Sequence, residues 1–270
     1  MDRICKWLNK QKLNMISKIN TSVLELKSMK KYPDELFFKG NIELLNRKKI
    51  SIVGSRKPNQ YARQLTHEIA SKLARADLCI VSGGAIGTDV IAHKAAGMQN
   101  TIMVAGTGLD KHYPAVNKNV IHAIEKDGLV LSQFKIGTPS QRYNFPLRNE
   151  LIVALGEVLI VMYGDENSGT MRSVEYAQKM GKEIYVLPHR IGESNATNKL
   201  LEQGVAKAIY DIDEFVKKFG EIEEKKCDDF LKFCKMNPSY DEALKKFPNR
   251  VFEAELNGDI EVINAKIYLK

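Results

Sequence analysis

The sequence predicts an α/β fold, a doubly wound, Rossmann-like parallel sheet, and three observations predict it. From residue 49 onward short β-branched runs recur, amphipathic segments of helical period lie between them, and loops of small residues lead from one to the next. The runs fall at 49–53, 78–81, 101–105, 129–134, 158–163 and 183–188, so a sheet of about six or seven strands is expected.

In chain order, KISIV opens the sheet. The segment 60–76 after it repeats Tyr61, Leu65, Ile69 and Leu73 at i, i+4, one apolar stripe to lie on the strands. Segments 116–126, 147–156 and 170–180 read the same way, and Asp89 and His93 share a further helix, where His93 is expected to steady the preceding loop. Ligands of such a sheet bind outside the carboxyl ends of its strands. Residues 46–220 are read as this Rossmann-like domain and residues 1–45 as a short, basic, mainly helical N-terminal extension. The charge run EIEEKK at 221–226 reads as a linker. It opens a small winged-helix-like C-terminal module, 221–270, with short helices, a turn at Gly258 and alternating residues over 260–269.

Composition narrows the class. With 44% hydrophobic and 27% charged residues the chain should fold, and its apolar runs fall far short of the ~18–20 residues of a membrane span. Arg3, Lys6, Lys10, Lys12 and Lys18 leave no apolar core for a secretory signal, so a cytoplasmic protein is expected. Cys5, Cys79, Cys227 and Cys234 form no CxxC pair, and Cys79 reads as core. Net charge is +8, which favours a polyanionic partner. Its distribution is uneven: residues 1–49 hold 12 basic and 5 acidic side chains, residues 221–270 hold 9 and 11.

Three strand-to-helix loops could hold phosphate on free N–H groups and helix dipoles: Gly54-Ser55-Arg56, SGGAIGTD (Ser82, Gly83, Gly84, Ala85, Gly87 and Asp89 within it) and Asn167-Ser168-Gly169-Thr170. Each glycine could equally serve a tight turn. Together at one sheet edge, the loops suit an extended polyanion. A dinucleotide site is disfavoured, because the first turn reads GSRKPN and Gly106-Thr107-Gly108 lacks its third glycine. There is no GxxxxGK[ST], no HExxH and no GxSxG, so no nucleotide cofactor, metal or catalytic residue is expected. QRYNFPLRN, 141–149, gathers Arg142, Arg148 and Asn149 with Tyr143 and Phe145: cations for phosphate and rings for bases, or simply a helix entrance with Arg148 on a solvated face.

Gly54-Ser55-Arg56, SGGAIGTDVIAH, AGTGLDKHYPAVN (105–117, with Gly106 and Thr107), FPLRN, Ser168-Gly169-Thr170 and 198–204, in that order, resemble the DprA/Smf family of DNA-processing proteins over roughly residues 30–215. The resemblance implies a dimeric, non-catalytic protein that binds incoming single-stranded DNA in natural transformation and helps load RecA on it. It further implies that Arg56 contacts phosphate, that the backbone of Gly83, Gly84 and Ala85 cradles it, that Arg142 and Phe145 grip and stack bases, and that Asp89 holds its loop in shape. Two positions depart from the family pattern: Glu150, where a further Arg is usual, and His189 after Pro188. The rival is a phosphoribohydrolase of the lysine-decarboxylase-like, cytokinin-activating type, which shares the sheet and a GGxGTxxE loop. Here the position of its glutamate holds Ser173, and Glu175 lies two residues, about 200°, round the helix.

Overall fold

The computed structural model describes residues 15–165, 168–221, 229–256 and 259–269. Asn167, the Gly258 turn and most of the EIEEKK run lie outside the described residues, as do residues 1–14. The chain divides into two compact units, 1–222 and 223–270.

Among the described residues the first unit is built on nine strands: β1 (Ser17–Lys18), β2 (Phe37–Gly40), β3 (Lys49–Val53), β4 (Cys79–Ser82), β5 (Thr101–Val104), β6 (Leu129–Ser132), β7 (Leu159–Val161), β8 (Ile184–Val186) and β9 (Lys207–Ala208). They form one sheet in the order β1-β2-β6-β5-β4-β3-β7-β8-β9. From β6 across to β9 every pairing is parallel. Strand order reverses between β3 and β7, so their connections leave in opposite directions and open a crevice at their carboxyl ends.

Helices cover both faces. α1 (Gln60–Arg75), α2 (Thr88–Ala96), α3 (Lys118–Asp127) and α7 (Ile212–Lys217) lie on one, while α4 (Asn144–Leu155), α5 (Gly169–Lys179) and α6 (Asn195–Glu202) lie on the other. The pleat explains the sorting: Ile80 and Ile160 face α1 and α2, and their neighbours Val81 and Val161 face α4 and α5. Asn59 caps α1 by accepting from the Ala62 N–H at 2.8 Å. The buried face of α1 runs through Ala62, Thr66, Ile69, Ala70 and Leu73, so the apolar stripe is rotated from the expected one and leaves Tyr61 exposed. Cys79 is fully buried in the core, and burial pushes its thiol up to about 12.

The expected helical extension is corrected within the described residues 15–45. That stretch carries β1, β2 and two 3-10 turns, 24–28 and 42–46, with no α-helix. The reason is tertiary. β2 pairs antiparallel with β6, and Val23, Leu26, Leu36 and Leu44 bury themselves in the core on the α4 side, which outweighs local helix propensity.

The second unit holds α8 (Asp229–Cys234), α9 (Tyr240–Lys246), α10 (Pro248–Leu256) and a hairpin of β10 (Ile260–Ile263) with β11 (Lys266–Leu269). It has its own core of Phe230, Cys234, Ala243, Val251, Ala254, Ile260 and Ile267. Among the described residues no helix is long and apolar enough to cross a membrane.

Candidate nucleic-acid interface

At the carboxyl ends of β3 and β7 lies a cleft of about 460 Å³. The loops after β3, β4 and β7 supply its walls, with Arg56, Ala85, Phe145, Asn149, Ser168 and Thr170 among the lining residues. Arg56 and Lys57 are exposed at its mouth, so their charge is available to a ligand.

Close backbone packing holds the first two loops together. Thr88 N–H donates to Ser55 O at 3.2 Å, and a β-carbon on Gly87 would stand 2.5 Å from Arg56 O. Gly87 has φ +86°, a conformation that also favours glycine. The Ala85 N–H, expected to cradle phosphate, donates to Asp89 Oδ2 at 3.2 Å. Asp89 thus takes up the Ala85 part of the expected phosphate cradle. Asp89 is 7% exposed; burial pushes its carboxyl up, while Arg148 and the loop N–H groups pull it down. Its bond ties the start of α2 back to the loop before it.

Three further expected contacts prove to be supports. Ser82 is fully buried and its hydroxyl donates to Ile52 O at 2.7 Å. Thr107 is 1% exposed and donates to Lys111 O at 3.0 Å. Arg148, at 5% exposure, sends Nη1 to Gly83 O and to Val104 O, the latter at 2.7 Å. Burial lowers its pKa. Arg148 therefore lies on neither a solvated face nor an open phosphate site, although part of its side chain lines the cleft.

Phe145 stands at the cleft edge. Arg56 Cζ lies 5.9 Å from its ring centre, Arg148 Cζ 5.8 Å, and the Tyr113 ring 5.5 Å. Gly106 lies beneath: a β-carbon there would come within 3.0 Å of the ring. Gly54 likewise leaves room for Thr88 Oγ1, 2.5 Å from where its β-carbon would be. Arg142 is exposed before α4, outside the cleft lining.

The third wall is the N-terminus of α5. Among the described residues Ser168 Oγ and Ser173 Oγ are buried without a hydrogen-bond partner, and both line the cleft. Asn149 braces this wall by donating to Gly169 O at 3.3 Å. Sequence reading placed Ser173 only where a hydrolase would have its glutamate and missed Lys57, Tyr163 and Tyr113; Lys57 adjoins Arg56 and Tyr113 lies within 105–117, so position alone could have flagged those two.

The departures and the helix histidine have local explanations. Glu150 accepts the Lys30 N–H at 2.9 Å, which engages its carboxylate with the N-terminal stretch. His189 stands edge-on to Tyr61 and Tyr163, 5.4 and 5.3 Å between ring centres, and pairs with Met162 O. His93 does not steady its loop: it reaches Thr101 at the start of β5, with Nδ1 2.5 Å from Oγ1.

The family model for DNA recombination-mediator protein A matches residues 18–220. DNA processing protein DprA of Bacillus subtilis is 34% identical over 201 residues, 73% of this chain and 67% of that protein; the Streptococcus pneumoniae protein is 37% identical over 177 residues, 64% and 62%. The chain thus matches about two thirds of the length of these relatives. DNA processing protein A of Helicobacter pylori, whose structure concerns a single-stranded DNA binding mode, superposes with a TM-score of 0.74 at 37% identity over 76% of this chain and 95% of that one. The S. pneumoniae structure gives 0.70 at 33% identity over 82% and 79%. With the Rossmann-like sheet and the ordered loops already in place, these matches decide the family: the chain belongs to the DNA recombination-mediator protein A family, the DprA/Smf proteins.

Proposed function

We propose that the cleft binds single-stranded DNA without a fixed sequence, and that the chain acts as a non-catalytic, dimeric cytoplasmic mediator that protects incoming DNA in natural transformation and passes it to RecA. The observation that carries the binding reading is the exposed Arg56 beside the Phe145 ring, at the mouth of a cleft whose far wall is a helix N-terminus with two unpartnered hydroxyls. Arg56 and Lys57 neutralise phosphate. The N-terminus of α5, with Ser168, Gly169 and Thr170, takes a second phosphate, because the Ala85 N–H of the β4 loop is engaged by Asp89. Phe145 and Tyr113 offer ring surface to bases of any identity, and Arg142 extends the cationic track. The H. pylori relative supports the choice of ligand.

The absence of a catalytic step is supported by the same wall. Where a phosphoribohydrolase would place its acid-base glutamate, Ser173 lines the cleft, and Glu175 pairs with Arg172 at 3.6 Å instead. We read the second unit as a winged-helix-like module that serves a protein partner.

Amide hydrogen exchange tests the binding site. An unlabelled single-stranded oligonucleotide should slow exchange at 54–57, 83–87 and 168–171, and protection confined to other segments contradicts this site. Incubation with AMP should release no free base; steady release would favour the hydrolase.

A further inference from the structure

His112, in the loop between β5 and α3, meets His122 and Glu125, which lie three residues apart on one face of α3. Glu125 is 3% exposed. His112 Nε2 lies 2.9 Å from its Oε1, and His122 Nδ1 lies 3.1 Å from its Oε2. The two imidazole rings are 4.1 Å apart, centre to centre. One donor atom from each of the three residues falls within 4.8 Å of the others, the one such grouping among the described residues.

We propose that His112, His122 and Glu125 bind a divalent cation of the zinc class. Two imidazoles and one carboxylate are a borderline donor set, suited to zinc and poorly suited to magnesium or calcium. Tetrahedral bonds of about 2.0–2.1 Å would set donor atoms about 3.3 Å apart. The nitrogen-to-oxygen distances of 2.9 and 3.1 Å run to the two different oxygens of Glu125, so the ion would replace both hydrogen bonds as the rings turn toward a common point. The His122 side chain is 47% exposed, which leaves an entry path and a fourth position for water.

A purely structural hub explains less of this arrangement. Lys39 Nζ, 2.9 Å from Glu125 Oε2, and His112 already anchor β2 and the loop to α3. The half-exposed His122 adds little to that anchoring, yet its nitrogen is aimed at the same carboxylate. On binding, each neutral imidazole presents its ligating nitrogen without a hydrogen and carries its proton on the other one; an imidazolium would release a proton. Lys39 stays beside the carboxylate as its outer partner, the role such groups play in metal sites. The clip would tie down the loop that carries Tyr113 to the cleft edge and Asn117 to Gly84 O, 3.0 Å away. No standard metal spacing is present, because one ligand comes from the loop and two from the helix.

The full chain, stripped with a chelator and titrated with ZnCl2, should bind one equivalent that is lost or weakened at least about tenfold in His112→Ala/His122→Ala. Zinc should raise the unfolding temperature of the wild type and not that of the double variant. Since the chain also has four cysteines, Co2+ substitution of the wild type provides a check independent of the variant's folding. Visible d–d bands without a thiolate charge-transfer band are expected. Equal zinc affinity in the two proteins, no saturable binding to the wild type, or a thiolate band from that equivalent would overturn the proposal.

Discussion

Arg148 Nη1 donates to the carbonyl of Gly83, and a β-carbon on Gly83 would collide with that same guanidinium. Residues 65 apart in sequence thus lock the β4 loop against α4. Arg148→Ala strands the carbonyls of Gly83 and Val104. With charge-assisted hydrogen bonds worth ~1.5–3 kcal/mol, the variant should lose roughly 2–4 kcal/mol of stability, read from its urea midpoint. Arg148→Lys should recover little of that, because an ammonium does not reproduce the planar fork. An unchanged midpoint in Arg148→Ala contradicts the support role.

Arg56 and Phe145, neighbours at the cleft mouth, should fail by different physics. Arg56→Ala should lower single-strand affinity and flatten the plot of log affinity against log salt by about 0.7, one phosphate's worth of released counterions. Phe145→Ala should cost ~1–3 kcal/mol of binding and leave the slope nearly unchanged. Anisotropy titrations across a salt series separate the two. Normal binding by both folded variants places the DNA elsewhere.

Much of this was legible in the residues. The β-branched runs located six strands of the sheet, and glycine-rich turns located the loops, because burial on both faces leaves a continuous apolar signature. Residues 15–45 misled because strand pairing and burial of Leu26, Leu36 and Leu44 are nonlocal. The same limit hid the direction of polar side chains. Arg148 reads as surface charge in FPLRN, and only the fold shows that it points inward to two carbonyls. Likewise the glycines of SGGAIGTD suggest an anion nest, and only the helix that follows reveals that Asp89 takes the Ala85 N–H.

His93 should make stability fall with acid. It is fully buried, and burial first, then the Arg148 charge, lower its pKa to about 3. Thr101 Oγ1 donates to Ile80 O and so accepts from Nδ1–H, which leaves Nε2 unprotonated and without a partner. The folded pKa is below the unfolded ~6.5, so this contribution is complete above pH ~6.5 and is lost as pH falls toward 3. The loss is up to about 1.4 kcal/mol per pH unit. His93→Gln should show a shallower decline in urea-derived stability between pH ~6.5 and ~4; an identical slope contradicts the buried neutral imidazole.

Removing residues 221–270 should leave single-strand affinity within about tenfold, ~1.4 kcal/mol, of the full chain. The second unit is net acidic, and two of its cations are engaged internally: Lys246 Nζ sits 4.7 Å from the Phe233 ring centre and Arg250 pairs with Glu253 at 3.3 Å. A larger loss in residues 1–220 would mean that the module touches DNA.

The most direct measurement is competition between single-stranded and duplex DNA of equal length and mixed sequence, at one fixed salt concentration. Rings at the cleft edge can stack only on bases freed from a duplex, whereas phosphate contacts alone accept either form. The cleft described here predicts clear preference for the single strand, little change among base compositions, and loss of that preference in Phe145→Ala. Equal affinity for duplex and single strand would contradict it.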